Sequence, residues 1–79
     1  MSEFQVSLAS IEEVRQFVNA ATRSSCEVDV LSGRYVVDGK SIMGLFSLDL
    51  SHPVTIRLHG NDGDQAAFRQ AVAAFIPAE

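Results

Sequence analysis

Phe4, Val6 and Leu8 alternate with Gln5 and Ser7, and that period of two predicts a first strand with one face against a core. The pattern then changes. In Ser10-Ile11-Glu12-Glu13 a hydroxyl residue is followed three positions later by a glutamate, the capping-box signature of a helix start. Ile11, Val14, Phe17, Val18 and Ala21 recur behind it at helical spacing, so a first helix with a single apolar stripe should run to about Ser24. Cys26, Val28 and Val30 alternate with Glu27 and Asp29 as a second strand. Ser32-Gly33 turns the chain into a third, Arg34-Tyr35-Val36-Val37, and the two read as a hairpin.

Asp38-Gly39 is a further turn signal. Ser41 then precedes Ile42-Met43-Gly44-Leu45-Phe46-Ser47-Leu48, a short apolar segment that reads as a brief second helix capped by Ser41. Beyond His52-Pro53 the alternation resumes, with Val54, Ile56 and Leu58 on one side of a fourth strand and Thr55, Arg57 and His59 on the other. Phe68, Ala71, Val72 and Phe75 fall at i, i+3, i+4 and i+7. They form the stripe of a third helix, capped by Asp62 or Asp64 and stopped before Pro77. The order is βαββαβα. Each predicted strand has one apolar and one polar face and each helix one apolar face, so the economical packing is an α+β open-faced sandwich with the helices together on one side.

Composition narrows the picture. A chain of 79 residues fits one domain, residues 1–79, around one core. Its single cysteine, Cys26, cannot make an internal bridge, and two separated histidines, His52 and His59, cannot make a four-ligand zinc site with it unless carboxylates join. The 47% of apolar residues must therefore hold the fold. Cys26 falls on the apolar side of its strand and reads as inert core, while both histidines read as surface residues. Asp62-Gly63-Asp64 lacks the downstream ligands of a calcium loop. No apolar run approaches the roughly 20 residues needed to span a bilayer, and the N-terminus has no basic region leading into an apolar one. The expectation is a cytoplasmic protein with no membrane partner. The net charge is −4, and Arg15, Arg23, Arg34, Lys40, Arg57 and Arg69 are scattered singly, which disfavours a nucleic-acid partner. With no cofactor motif and no paired acid and base, an enzyme is not expected, nor a cofactor.

The string from Gly39 through Lys40, Ser41, Ile42, Met43 and Gly44 to Leu48, between the hairpin and the fourth strand, resembles the second-helix segment of HPr. HPr is the phosphocarrier protein of the bacterial sugar phosphotransferase system. The element order is similar too, and the resemblance covers about residues 3 to 76, with its specific part at Lys40 to Leu48. It implies a four-stranded antiparallel sheet with three helices on one face. HPr carries a phosphoryl group on a histidine at the start of its first helix, within a Gly-x-His-Ala-Arg-Pro-Ala motif. Nothing of that motif stands here. Matching the first helices puts Ser10 at the position of the histidine, Glu12 at that of the arginine and Glu13 at that of the proline, and no histidine precedes His52. A phosphate at a helix start wants free N–H groups and a nearby cation. Two glutamates stand there instead.

By the same resemblance Ser41 matches the serine that an ATP-dependent HPr kinase phosphorylates in low-GC Gram-positive bacteria. Ile42, Met43 and Phe46 match positions through which HPr docks on its partners. A helix this short cannot turn all of these and Leu45 and Leu48 to the core together, so some must face solvent. The resemblance therefore implies an HPr-like regulatory or adaptor protein without histidine phosphotransfer, acting through its second helix, with Ser41 as a regulatory phosphorylation candidate. Its partners would be other proteins: components of the phosphotransferase system, HPr kinase or a transcriptional regulator. The alternative is a phosphocarrier with a substitute acceptor, His52, His59 or Ser10.

Overall fold

In a computed structural model of the chain, which describes residues 2–77, the elements are β1 (Ser2–Val6), α1 (Ile11–Arg23), β2 (Glu27–Ser32), β3 (Tyr35–Asp38), α2 (Ile42–Phe46), β4 (Val54–His59) and α3 (Asp62–Ala71), closed by a 3-10 turn at Ala73–Phe75. The strands form one antiparallel sheet in the order β1-β4-β2-β3. Register follows from the period-two alternation. Ile56 of β4 lies opposite Phe4 of β1 on one side and Val30 of β2 on the other, so the apolar residues of three strands share one face.

That face and the helices make one core. Val6, Val28, Val30, Val54, Ile56 and Leu58 meet Val14, Phe17 and Ala21 of α1, Leu45 of α2 and Phe68 of α3, all buried. Phe17 and Phe68 touch edge to face, with ring centroids 5.7 Å apart at 82°, a favourable aromatic geometry. The three helices thus cover one side of the sheet, as the alternation and the HPr resemblance both imply. No helix among the described residues is long and apolar enough to cross a membrane.

Several expectations need correction. The first strand ends at Val6 because the Ser7 N–H leaves the sheet and donates to the Phe75 carbonyl at 2.7 Å; Leu8 is buried from a loop. Cys26 likewise precedes β2 and is fully buried. The edge strand β3 keeps only part of the expected buried face: Val37 packs on the core, while Tyr35 and Val36 are 71% and 60% exposed. Ile11 is 68% exposed and stands off the core stripe of α1. Ala71 is exposed as well, because α3 ends there and the chain tightens into the 3-10 turn. That rewinding keeps Val72 buried and Phe75 packed on the core. Finally, α3 is capped by Asn61, whose side-chain oxygen accepts the Asp64 N–H at 2.7 Å. Asp62 and Asp64 lie inside the first turn, where they complement the helix dipole.

Gly39 joins β3 to α2 at a close approach. A Cβ there would lie 2.6 Å from Val28 Cγ1 and 3.1 Å from the Val28 carbonyl oxygen. Gly39→Ala is therefore expected to lower stability by about 1–3 kcal/mol through overpacking, read as a lower denaturation midpoint in urea.

Candidate functional site

The start of α1 is held by side chains. Ser10 has extended backbone angles, and its hydroxyl oxygen accepts the Glu13 N–H at 3.1 Å. Glu13 Oε1 reaches back to accept the Ala9 N–H at 2.8 Å. The capping box read from sequence is closed, with its return bond one residue before the cap. Glu12 and Glu13 add two carboxylates to the first turn, where the helix dipole favours negative charge. These carboxylates already answer the helix end, and an added phosphate would meet their repulsion.

The start of α2 uses the same device without the acids. Ser41 is extended and its hydroxyl oxygen accepts the Gly44 N–H at 3.2 Å, while no acidic residue lies in the first turn. Lys40, exposed, directly precedes it. A Cβ on Gly44 would sit 3.2 Å from Val37 Cβ and 3.3 Å from Ser41 Oγ, so glycine lets the helix lie close to β3. Leu45 and Leu48 turn inward and are buried, and Ile42 packs on the core from a half-buried position. Met43 and Phe46 stay in water, 76% and 44% exposed. Of the three predicted docking residues, Met43 and Phe46 are therefore presented and Ile42 is partly withdrawn.

Between α1 and α2 lies a groove of 340 Å³ that brings Ser10 and Phe46 together, along with Ile11, Leu50 and Ser51. Ser41, Ile42 and Met43 lie outside its lining. Ile11 is the residue that periodicity missed, because it continues the i, i+3 series into Val14. Its place directly after the cap was the available signal, since first-turn residues often project past the surface their helix covers. At the groove's rim Asp49 Oδ1 accepts both the Ser51 hydroxyl at 2.6 Å and the Ser51 N–H at 3.0 Å. The Ser51 hydroxyl and N–H, and then the nearby His52, hold the Asp49 carboxyl below the ordinary aspartate range.

The remaining candidates lie apart. His52 is exposed in the loop before β4. His59 lies on the sheet face opposite the helices, where its Nε2 is 2.9 Å from Asp29 Oδ2, a cross-strand partner that sequence spacing did not reveal. Cys26 is buried. No group of three or more metal-ligating side chains occurs among the described residues.

The family pattern described as the PTS HPr component phosphorylation site matches residues 13–78. The chain belongs to the HPr family. Solved structures agree. HPr-C-His from Thermoanaerobacter tengcongensis is 26% identical with a TM-score of 0.77, over 96% of this chain and 91% of that one. The phosphocarrier protein HPr from Bacillus anthracis is 28% identical with a TM-score of 0.69, over 96% and 94%. Crh, the catabolite repression protein of Bacillus subtilis, described as a domain-swapped dimer, is 25% identical with a TM-score of 0.64, over 92% and 88%. A search of curated proteins finds no match. HPr-family proteins are phosphocarriers and not enzymes, and they interact with other proteins of the phosphotransferase system.

Two outcomes follow for this HPr-family site. Ser10→Ala should cost about 1 kcal/mol of stability through the lost cap, measured by thermal or urea unfolding. Asp49 should titrate below an ordinary aspartate by carboxyl NMR, and Ser51→Ala should move it back up. Because its folded pKa is depressed, its contribution to stability is present above the ordinary aspartate pKa and is lost as pH falls through the lowered one.

Proposed function

We propose that this HPr-family protein is a regulatory or adaptor member, docking through the α2 surface without carrying a phosphoryl group on histidine. The observation that carries the reading is the start of α1. In the register of the HPr motif the acceptor position is Ser10, a cap whose oxygen is engaged by the Glu13 N–H, and Glu12 and Glu13 take the place of cation and proline. Neither histidine caps a helix, and His59, the last residue of β4, is held on the helix-free face by a carboxylate that would repel a phosphate on the ring. The patch of Met43 and Phe46, extended by Ile11 across the groove, supplies adaptable apolar side chains of the kind that anchor protein interfaces.

Ser41 is the regulatory site of this proposal. Its hydroxyl is exposed and it opens α2 beside that patch. Phosphorylation would add about −1.5 to −2 charges there. The added oxygens would accept the Gly44 N–H in place of the hydroxyl, with Lys40 alongside. Docking of an apolar partner would change accordingly.

Incubation with phosphoenolpyruvate and Enzyme I, and separately with ATP and HPr kinase, tests both parts by intact mass. The expected result is no gain in the first reaction, and in the second a gain of about 80 daltons, one phosphoryl group, that Ser41→Ala abolishes. A gain in the first reaction would restore the phosphocarrier. Met43→Asp and Phe46→Asp should each weaken partner capture with the fold intact by circular dichroism; unchanged capture by both would remove the docking patch.

A further inference from the structure

As the last strand of the sheet, β3 is bonded to β2 on one side and has an open edge on the other. Its phase is fixed by Gly39, whose N–H donates to the Val28 carbonyl at 2.7 Å. Opposed residues in an antiparallel ladder alternate between pairs that exchange hydrogen bonds and pairs that do not. With Val28 opposite Gly39 as a bonded pair, Val30–Val37 and Ser32–Tyr35 bond in turn. The backbone groups of Val36 and Asp38 therefore point away from β2, toward the open edge.

We propose that this edge is the docking surface for a second copy of the chain, β3 against β3, antiparallel about a two-fold axis at Val36, so that two sheets become one. In that register Val36 faces its own copy with outward backbone groups on both sides, and the pair exchanges two hydrogen bonds. Tyr35 falls opposite Val37 of the second copy, an aromatic and β-branched pair of the kind that stabilises neighbouring strands. Arg34, in the hairpin turn, comes beside Asp38 of the second copy, and symmetry repeats the opposite charges at the other end. No other register does this. A shift of one residue aims outward groups at inward ones, and a shift of two sets Asp38 against Val36 and loses both charge pairs. Since the strand supplies its own complement, the occupant that fits is this chain, in an isologous contact.

Other features agree. Tyr35 and Val36 are 71% and 60% exposed, and the four residues of β3 carry neither the lysine and proline nor the bulge that commonly block edge pairing. The Asp38 carbonyl already accepts the Ser41 N–H at 2.9 Å, which ends the pairing there and keeps the contact short. A contact of this size gives a weak, concentration-dependent dimer. It does not rest on the α2 docking surface.

Sedimentation velocity of the full chain, from about 10 µM to about 1 mM, spans the range in which such a dimer forms. The expected result is a reversible monomer–dimer equilibrium in which Val36→Pro stays monomeric. The Val36 N–H faces away from β2, so proline there cuts no bond between β2 and β3, and edge strands tolerate it. Arg34→Glu, on an exposed turn, should weaken association by about two- to fivefold, and adding Asp38→Lys should restore it. Three results overturn the proposal: a wild-type monomer throughout the range, a dimer that persists in folded Val36→Pro, or an association constant unmoved by Arg34→Glu.

Discussion

The dryness of one side of β4 constrains everything around it. Val54, Ile56 and Leu58 are buried in alternation, and burying such a side chain is worth about 1.5–3 kcal/mol. A slip of one residue would turn all three to water and bring Thr55, Arg57 and His59 inward. Because β4 is paired on both edges, its register also sets β1 and β2. The charges of the outer face are then answered across strands: Arg57 Nε meets Glu3 Oε2 at 2.7 Å and His59 meets Asp29. These exposed pairs add little energy of their own. Their consequence is that the helix-free face is wetted and paired across β1, β4 and β2, which leaves the exposed apolar side chains to the helix layer and to β3.

Within that layer α2 is the element under most pressure. It has five residues, Ile42–Phe46, and an apolar run that continues to Leu48. One and a half turns cannot point every apolar side chain one way. Leu45 and Leu48 take the core, Ile42 takes its margin, and Met43 and Phe46 are left outside. Gly44 completes the arrangement, because the helix approaches β3 closely enough that a Cβ would press on both Val37 and Ser41. The exposed patch is thus a result of how α2 is anchored and needs no separate cause.

Much of this was legible in the sequence, and the failures share a physical origin. Strands β2 and β4 alternate because each has neighbours on both edges and a helix layer on one face, so burial enforces the period. At β3 the helix layer reaches only Val37, so Tyr35 on the same face and Val36 on the other escape the rule. In α1 the series through Val14, Phe17 and Ala21 holds, but it does not extend back to Ile11, because the first turn lies beside the α2 groove. The capping box was visible because its partners are three residues apart. The His59–Asp29 pair was not, since it joins residues 30 apart through a strand register that one sequence does not state. Asn61 does not stand out as the α3 cap in the sequence, because the nearby Asp62 and Asp64 are equally good capping residues and only geometry separates them.

Ser10 and Ser41 hold equivalent places at the starts of α1 and α2. Both are serines in extended conformation at a helix start, and in both the hydroxyl oxygen accepts an N–H three residues on. Cap geometry therefore does not distinguish them. Charge does. Ser10 is followed by Glu12 and Glu13, one of them tied back to Ala9, so the favourable end of α1 is already filled by carboxylates. Ser41 is followed by none and preceded by Lys40. Each charge near a helix end matters by about 0.3–1 kcal/mol, and a doubly charged phosphate multiplies the difference. Only the second serine opens a helix whose first turn carries no carboxylate. A family that relays phosphate from a helix start needs favourable charge there, and in this chain the charges suit a phosphate better at the start of α2 than of α1.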